Sequence, residues 1–559
     1  MIFETVAQLK LATLTAGQLV STKGYYVAGD GGGASYLIQP SSYVALAGDA
    51  TLANGNVAEL QINGNSYLEK FGATGNGDEQ AVIQAAIDRM ADSGGGTLYA
   101  LGYYTIQSTL TLGLSGDSVT LKGVFSKNVF SASVSTSDGG VIYADFTSGP
   151  AILIADGGNA VEGLIVKGSP TRRAAAITTG ARLSNCGILV EGEDTSSDII
   201  QSVSIKDTRC VSHPADGLGI EGDITNIVVD NFYSNDVGRH GLSVSSGDTG
   251  GRTNKELSGI IMIRGGKSFD CGGHGLAIGN PASTKFPYRI TVINREGYRL
   301  ALDAAQRYST AANWIVCQDG TFINCAWGGT TTGNVSDHEG LEIGGRDITL
   351  SENRYINCQN NYVVVRQQSG FSTKNIKFDG GIASTVGLTP PADFATIAPG
   401  ADGVHFVRID HDGANAITTI PVDTYNNDIM LHDITANKTV HHNHEIDYSN
   451  ATVSGLTVAR DISIASNVLT VDRQGYYQVD TESFAATGLV TTISGAVAGT
   501  VIVLRQENSS RVVTLQHGGG SNIRLSGAAN FAFTNTQTFI QLMYDGVNWY
   551  QIAPSVSTV

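Results

Sequence analysis

A four-residue pattern, Gly-Leu-x-Ile/Val, recurs along the chain and predicts its dominant element. The copies occupy residues 217–220, 241–244, 275–278 and 340–343. In a β-strand, successive side chains point to opposite faces. The Leu and the Ile or Val of each copy are therefore expected to face a core, while the glycine and the x position face outward. The pattern predicts four equivalent strands, each with one apolar face.

The spacing of these copies predicts a solenoid. Their glycines lie 24, 34 and 65 residues apart, and the shortest gap is taken as the period, with insertions in the longer ones. Each unit also contains an earlier apolar strand and an aromatic or cysteine-containing strand, as in "NIVVDNFYSNDVGRHGLSV" and "IIMIRGGKSFDCGGHGLAI". Three short strands per unit must stack on neighbouring units to bury their apolar faces. The predicted fold is all-β, a right-handed parallel β-helix.

The outward positions of the repeated strands form a strip of small and acidic residues, here called the outer strip. Its predicted members are Gly217, Gly219, Glu221, Gly241, Ser243, Ser245, Gly275, Ala277, Gly279, Gly340, Glu342 and Gly344. Small side chains let another backbone or a ligand approach closely. The strip therefore suits the floor of a groove for an extended ligand, although packing against another subunit would suit it as well.

The insertions flank the repeated strands, which is where solenoids often carry a binding face. The longest insertion contains the aromatic and cationic residues Tyr288, Tyr298, Tyr308, Trp314, Arg289, Arg295, Arg299 and Arg307. Aromatic rings can stack on sugars and guanidinium groups can pair with acidic sugars, unless these side chains only pack the insertion down. The candidate substrate-binding residues are His240, His274, Arg299, Tyr298, Trp314, Glu221 and Glu191.

If the extended ligand is a polysaccharide, hydrolysis of its glycosidic bonds generally needs two carboxyl groups, about 5–5.5 Å apart for retention and about 6.5–9.5 Å apart for inversion. Glu342 is the first candidate, with Glu339, with Asp270 one coil earlier, or with Asp303 from the long insertion. Three coils, roughly 14 Å, are expected to separate Glu342 from Glu221, so those two are not partners. Glu191 in "GILVEG" aligns with Glu221 on a neighbouring coil, and this pair is the alternative.

The two ends of the chain differ from the repeats. An amphipathic helix is predicted near Glu79–Met90, with Ala81, Ile83, Ala86 and Ile87 on its apolar face. The β-helix pattern fades after "NIKFDGGIAST". From about residue 453 the strands alternate in another style, and the Asp-Gly pair at 545–546 marks a hairpin, so a C-terminal antiparallel β-sandwich is predicted.

Composition and charge narrow the function classes. The net charge of −17 argues against a nucleic-acid surface, which needs clustered Lys and Arg. The N-terminus lacks the pattern of a signal peptide, and no apolar run approaches the ~18 residues of a membrane span, so a soluble protein is expected. Six cysteines without a CxxC pair predict reduced, inward-facing core residues. They are Cys186, Cys210, Cys271, Cys317, Cys325 and Cys358.

Two segments carry a family resemblance. The stretch from 70 to 113, "KFGATGNGDEQAVIQAAIDRMADSGGGTLYALGYYTIQSTLTL", resembles the opening of the pectate-lyase-like β-helix superfamily, although only "GDEQ" stands where the family has an acidic, threonine-containing stretch. Ahead of it, "KGYYVAGDGGGASYLIQ" looks like the N-terminal module of bacteriophage tailspikes. The resemblance implies three domains: a tailspike module at 1–66, a β-helix at 67–452 and a trimerisation or carbohydrate-binding domain at 453–559.

The resemblance also implies a function. Tailspikes of this kind are homotrimeric virion proteins that bind, and often depolymerise, a bacterial capsular polysaccharide or lipopolysaccharide O-chain outside the host cell. Their N-terminal side contacts phage tail or baseplate proteins. We expect no cofactor, no metal, no nucleic acid and no membrane insertion for this chain.

The catalytic residues of two related families cannot be carried over. Polygalacturonases use N-T-D, D-D, G-H-G and R-I-K motifs; this chain has His-Gly twice, at His240 and His274, but no N-T-D, no Asp-Asp and no R-I-K. The calcium-binding Asp cluster of pectate lyases is not visible either. The resemblance to tailspike depolymerases, together with the candidate carboxylates, implies glycosidic hydrolysis, with a polysaccharide lyase or a non-cleaving receptor-binding adhesin as the alternatives.

Overall fold

The structure is a computed structural model of the chain. It describes residues 1–113, 117–124, 134, 139–175, 185–192, 200–222, 224–245, 260–279, 289–298, 314–323, 325–328, 341–356, 358, 361–366, 373–384, 393–397, 402–411, 428–433, 438–442, 460–471, 475–536 and 538–552.

The chain forms two compact units. The first contains Met1–Tyr425 and Leu431–Lys438, and the second contains Asn426–Met430 and Thr439–Val559. The predicted N-terminal module and the β-helix therefore belong to one unit.

The first unit begins with a five-stranded sheet. Its strands, in spatial order, are Ile2–Phe3, Leu19–Thr22, Ser35–Gln39, Val57–Leu60 and Ala50–Thr51. The first pair is parallel and the other pairs are antiparallel. A short helix, Val6–Lys10, connects the first two strands, and the Thr5 hydroxyl caps it by accepting the Gln8 N–H at 3.2 Å. Alternate residues of the third strand, Tyr36 and Ile38, are buried, so the sheet has one apolar face.

The predicted amphipathic helix is confirmed as Gln80–Asp92. It follows a single turn of 3-10 helix at Leu68–Phe71. Ile83, Ala86 and Ile87 are buried as predicted, whereas Ala81 is exposed. The apolar face continues instead through Met90 and Ala91, because the helix runs two residues beyond its predicted end. The helix packs on strands Gly96–Ala100 and Leu110–Leu112, where the solenoid begins.

The solenoid is a parallel β-helix with three sheets, which confirms the predicted fold. From Asn65–Tyr67 to Asp402–His411, the described strands pair in parallel with the equivalent strand one coil away. The first sheet contains Asn65–Tyr67, Gly96–Ala100, Val119–Gly123, Ala160–Glu162, Ser204–Lys206, Ile227–Asp230, Ile261–Arg264 and Ile290–Ile293. The second sheet contains Tyr103–Ile106, Val141–Ala144, Ile165–Gly168, Arg209–Val211, Tyr233–Val237, Lys267–Cys271, Glu296–Tyr298 and Ala326–Gly328. The third sheet contains Leu110–Leu112, Ile152–Ile154, Ile188–Glu191, Leu218–Glu221, Leu242–Ser245 and Leu276–Ile278.

Later coils have longer strands that continue around the corners. The third sheet runs on through the start of Trp314–Ile323 and of Leu341–Ile356, whose remaining residues extend the other sheets. Further strands of the ladder are Asn361–Val365, Lys374–Ser384, Asp393–Ile397, Asp402–His411, Asp428–Asp433 and Lys438–His442. Outside the three sheets lie the parallel pair Ile200–Gln201 and Ile224–Thr225 and the short helix Pro170–Arg173.

A left-handed residue turns the chain between the first and second sheets of successive coils. The residues with positive φ at this corner are Gly163, Asp207, Asn231, Gly265, Asn294, Glu352 and Gly380. Gly, Asn and Asp tolerate this conformation best. The side chains of Asn231 and Asp207 also hydrogen-bond between coils, at 2.7 Å. A left-handed residue therefore recurs at this corner, with a second one, Gly266 or Gly381, in two of the coils, although the sequence pattern did not reveal it.

All six cysteines are buried and none of them forms a disulfide, as predicted. Cys186 departs from the prediction in one respect. It packs with Leu189, Ala215 and Leu153 in a small apolar cluster that is separate from the other clusters of buried residues. Leu189 alternates with Ile188 and Val190 along its strand, so this cluster lies on the other side of the third sheet from those two residues.

The second unit has a mixed sheet arrangement. Its main sheet contains Arg460–Ser463, Gly475–Asp480, Val501–Gln506, Phe539–Tyr544, Trp549–Gln551 and Ile523–Arg524, in that spatial order. The remaining sheets pair Val468–Thr470 with Thr492–Ser494, and place Thr487–Val490, Val512–Leu515 and Phe531–Ala532 side by side. A short 3-10 helix occupies Glu482–Phe484.

The predicted antiparallel sandwich is corrected by this pairing. The first three strands of the main sheet are parallel, and so are two of the side pairs, while antiparallel pairing occurs at Phe539–Tyr544 and at Phe531–Ala532. Alternation with one buried face is common to parallel and antiparallel strands, so the pattern could not distinguish them. The predicted hairpin is confirmed, because Tyr544 pairs with Trp549 around the turn that contains Gly546 at φ +102°.

Candidate active site

The repeated Gly-Leu-x-Ile/Val segments lie in the third sheet. In Leu218–Glu221, Leu242–Ser245 and Leu276–Ile278 the leucines pair directly across successive coils. These leucines and the Ile or Val two residues later are all 0% exposed. The predicted inward direction of the apolar side chains is therefore confirmed for these three strands.

The first glycine of the repeat does not face outward as predicted. A Cβ atom on Gly217 would come within 2.7 Å of Ser234 Cβ, and one on Gly241 within 2.3 Å of Ser268 Cβ. Ser234 and Ser268 are fully buried in the second sheet and hydrogen-bond to each other at 2.9 Å. The repeat therefore begins with glycine because the corner between the second and third sheets packs against these serines, and strand alternation starts only after it.

The gap of 65 residues before the last copy contains a coil that the sequence did not reveal. Ala277 pairs with Trp314, and Trp314 pairs with Glu342. The expected separation of three coils between Glu221 and Glu342 placed Ala277 one coil before Glu342, and this is wrong, because the Trp314 coil lies between them and lacks the Gly-Leu-x-Ile pattern. Glu221 and Glu342 are consequently four coils apart, about 19 Å, rather than three. The conclusion that these two carboxylates are not partners is unchanged.

The outer strip is made of small residues, but it is buried over its central coils. Ser243 is 2% exposed, Ala277 is 3% exposed and Glu221 is 4% exposed. These side chains do not form a bare floor open to solvent. The accessible carboxylate on this part of the third sheet is Glu191, at the end of Ile188–Glu191, which is half-buried.

Glu191 and Glu221 lie side by side on neighbouring coils, as the alternative prediction required. Their Cα atoms are direct partners in the parallel ladder, and Ser245 is the partner of Glu221 on the next coil. One step of a ladder is about 4.8 Å, which is close to the carboxylate separation of retaining glycosidases. Ser245 is 6% exposed, and its hydroxyl has no hydrogen-bond partner in the structure. This column therefore combines two carboxylates with an unpartnered, buried hydroxyl.

Glu342 has a different environment. Its carboxylate oxygen Oε1 lies 2.9 Å from Nε of Arg366, and its side chain is 13% exposed. Arg366 follows the strand that pairs with Glu342 on the next coil. A neighbouring guanidinium favours the carboxylate over the carboxylic acid. Glu342 is thus better suited to act as a base, or to orient a ligand, than to donate a proton.

His240 and His274 stack at the corner before the third sheet. Their ring centroids are 4.9 Å apart with an interplanar angle of 12°. The backbone N–H of His274 donates to Nδ1 of His240 at 3.0 Å. Since Nδ1 of His240 accepts this bond, the ring carries its proton on Nε2 when it is neutral. The two imidazoles form one column across adjacent coils.

Asp216 belongs to the same column and is not among the site residues predicted from the sequence. Asp216 precedes Gly217 just as His240 precedes Gly241, and this shared position in the repeat could have identified it from the sequence. Its carboxylate is fully buried and accepts hydrogen bonds from the His240 backbone N–H at 3.1 Å and from the Ser243 hydroxyl. Burial raises its pKa, and Arg239, with Nε 3.4 Å from Oδ1, and the Ser243 hydroxyl oppose that rise. Asp216 therefore ties the corner column to the outer strip.

The remaining predicted site residues are only partly described. Glu339, Asp303 and Arg299 lie outside the described residues, as do the side chains of Asp270, Tyr298 and Trp314. The backbone nevertheless shows that Asp270 and Tyr298 lie on the second sheet. The Glu296–Tyr298 coil separates Asp270 from the coil of Glu342, because the chain contains the extra Trp314 coil. The predicted placement of Asp270 one coil before Glu342 is therefore wrong.

The described residues contain neither a metal-binding cluster nor a membrane-spanning helix. No group of three or more His, Cys, Asp or Glu side chains among them is arranged to hold a metal ion. None of the helices described above is long and apolar enough to cross a membrane.

Known structures resemble this fold, although the sequences are very different. A tailspike from Acinetobacter phage vb_AbaP_AS12 aligns over 100% of this chain and 94% of its own, with a TM-score of 0.51 and 13% identity. The chain shares the β-helix fold of that tailspike. No family model matches the chain, and no curated protein sequence does either.

Two further structures are similar at lower scores. One is a tailspike from Acinetobacter baumannii bacteriophage Fri1, a capsular polysaccharide depolymerase, with a TM-score of 0.47, 15% identity, and coverage of 77% of this chain and 75% of that one. The other is the A-module of a mannuronan C-5 epimerase from Azotobacter vinelandii, with a TM-score of 0.45, 15% identity, and coverage of 64% and 99%.

Proposed function

We propose that this protein is a phage tailspike that binds a bacterial capsular polysaccharide or O-chain and hydrolyses its glycosidic bonds. The observation that carries the proposal is the Glu191–Glu221 pair, two carboxylates one coil apart on a parallel β-helix. The β-helix itself, shared with a phage tailspike over the whole chain, supports the tailspike assignment. Glu342, the first candidate from the sequence, becomes the second choice because its expected neighbour Asp270 lies elsewhere.

The proposal gives the two carboxylates different roles because their burial differs. Glu221 is almost completely buried, and burial disfavours a charge, so Glu221 is the proton donor to the leaving oxygen. Glu191 is half-buried and therefore more accessible to a ligand than Glu221, so Glu191 is the nucleophile that attacks the anomeric carbon. The glycosyl–Glu191 ester is then hydrolysed by water, from which Glu221, now a carboxylate, takes a proton. The anomeric configuration is retained.

The test is digestion of a panel of purified capsular polysaccharides and O-chains, followed by chain-length analysis. We expect new reducing ends without the ultraviolet absorbance of an unsaturated uronate. That absorbance would show a lyase and refute the hydrolase. Binding with no change in polymer length would show an adhesin.

Substitutions then test the residues. Loss of a positioned acid or base typically slows cleavage about 10²–10⁴-fold. We expect this for Glu221→Gln and for Glu191→Gln, while polymer binding persists. The matched control is Glu162→Gln, which removes only a partly exposed ion pair with Lys122 on the first sheet. Parental cleavage by Glu221→Gln, together with a collapse for Glu342→Gln, would transfer the acid–base role to Glu342.

The tailspike assignment also implies an assembly. We propose a homotrimer on the virion tail, attached to tail proteins through its N-terminal side and acting outside the host cell. Light scattering of the purified chain should give three times the 58.4 kDa chain mass. A monomer over a wide concentration range would contradict the trimer.

A further inference from the structure

A cleft lies between the N-terminal sheet and the first coil of the solenoid, remote in sequence from the proposed active site. Its volume is about 670 Å³, within the range of ligand pockets. Tyr25, Tyr26 and Tyr103 line it, together with Glu69 and Asn76. The cleft therefore combines aromatic rings with polar groups that can accept and donate hydrogen bonds.

The tyrosines occupy the cleft because the backbone makes room for them. Asp30 accepts four backbone hydrogen bonds, from Tyr25, Tyr26, Val27 and Gly32, at 2.7–3.0 Å. Burial acts to raise the pKa of Asp30, but these N–H groups hold it below its usual value, so the turn stays anchored to a carboxylate. A Cβ atom at position 72, where the chain has glycine with φ +94°, would come within 2.7 Å of the Tyr25 ring.

The aromatic surface is partly accessible. Tyr26 is 57% exposed and packs against Tyr25 with ring centroids 4.7 Å apart. The Tyr26 hydroxyl donates to the Gly72 carbonyl at 3.1 Å, which fixes the ring at the cleft edge. Tyr103, the first residue of the solenoid strand Tyr103–Ile106, is half-buried against the ring of Tyr143. Rigid aromatic rings with accessible faces can stack on the C–H face of a sugar ring.

Glu69 supplies an unsatisfied acceptor in the same cleft. Its Oε1 accepts the Tyr104 hydroxyl at 2.5 Å, whereas its Oε2 is buried without a hydrogen-bond partner. A buried carboxylate oxygen without a partner is costly, and a ligand hydroxyl would satisfy it. No Lys, Arg or His belongs to the described lining of the cleft, which contains the carboxylates of Glu69 and Asp30. An anionic ligand would therefore be repelled.

We propose that this cleft binds a neutral hexose unit of a saccharide, stacked on Tyr26 and hydrogen-bonded through its hydroxyls to Oε2 of Glu69. The site needs no cleavage chemistry and does not depend on the proposed hydrolase. It would give the protein a second carbohydrate contact near its N-terminal end.

Saturation-transfer NMR on the full chain tests the proposal, with D-glucose, N-acetyl-D-glucosamine and D-glucuronate as probes. We expect the two neutral sugars to bind and glucuronate to bind less. Removing an aromatic stacking partner weakens binding by about 3- to 10-fold, so Tyr26→Ala should lose most of the neutral-sugar signal. Glu69→Gln should also weaken the binding of the neutral sugars. It should reduce the difference between their binding and that of glucuronate, because the negative charge of Glu69 is gone.

The control is Tyr550→Ala, which removes a 41% exposed tyrosine in the other unit. It should leave all three sugar signals at parental strength. Melting temperatures of the variants separate loss of binding from loss of fold. Parental binding of neutral sugars by folded Tyr26→Ala and Glu69→Gln would overturn the proposal. So would the absence of neutral-sugar binding by the parent, or equal binding of glucuronate.

Discussion

Acid should destabilise the first unit through one buried imidazole, that of His213. The ring is 0% exposed, Arg172 Nε donates to its Nδ1 at 3.2 Å, and its Nε2–H donates to the Val166 carbonyl at 3.0 Å. Burial lowers the pKa of His213 to about 3, and the charges of Arg172 and Arg173 act in the same direction. The folded protein therefore holds this histidine neutral at pH values where the unfolded chain binds a proton.

The size of the effect follows from linkage. The pKa of His213 in the unfolded chain is about 6.5. The contribution of the neutral imidazole to the free energy of unfolding is therefore fully present above that pH, and it is lost as the pH falls from about 6.5 towards about 3. Each pH unit in this window costs about 1.4 kcal/mol. Between pH 7 and pH 4.5 the loss attributable to His213 is about 3 kcal/mol.

Urea unfolding at a series of pH values measures this loss. Other groups titrate in the same range, so the informative quantity is the difference in free energy of unfolding between the parent and His213→Gln at each pH. The glutamine side chain cannot bind a proton in this range but keeps a donor for the Val166 carbonyl. The variant should be less stable at pH 7, because Arg172 loses an acceptor, and should lose less stability on acidification. Parallel pH profiles for the two proteins would refute the assignment.

Three further predictions concern other parts of the chain. Gly241→Ala should destabilise the first unit by about 1–3 kcal/mol in urea unfolding, because the added Cβ has no room at the corner. The control is Gly527→Ala, which should change stability by less than about 1 kcal/mol because the added Cβ meets nothing within 4 Å. A double-mutant cycle on Glu342 and Arg366 should give a coupling of about 0.2–1 kcal/mol, because the arginine side chain is 45% exposed; a much larger value would show a dry, buried pair. Trp549→Phe should cost the second unit about 1–3 kcal/mol, since the fully buried indole N–H donates to a backbone carbonyl at 3.1 Å, and an unchanged urea midpoint would contradict this.

Part of the candidate site could be predicted from the sequence. The alignment of Glu191 with Glu221 was correct, because a single period of about 24–30 residues without a large insertion separates them. The predicted neighbours of Glu342 were wrong, because the Trp314 coil carries none of the repeated glycines and could not be recognised as a coil from the sequence. The role of Asp216 was missed because it stands at the position that the next two repeats fill with histidine, at His240 and His274.

The sequence by itself determined the β-helix, through the recurrence of one-faced strands that are too short to be buried alone. It also determined the helix at the start of the solenoid and the direction of the leucines, because period and apolar spacing are local properties. Only the tertiary structure decided which coils are neighbours, since insertions of unequal length erase the register along the chain. Only packing showed that Gly217 and Gly241 face the serines of the second sheet and that the outer strip is buried. The relative direction of the strands in the second unit was likewise set by the tertiary structure, because the alternation of apolar and polar residues is the same whether the neighbouring strand is parallel or antiparallel.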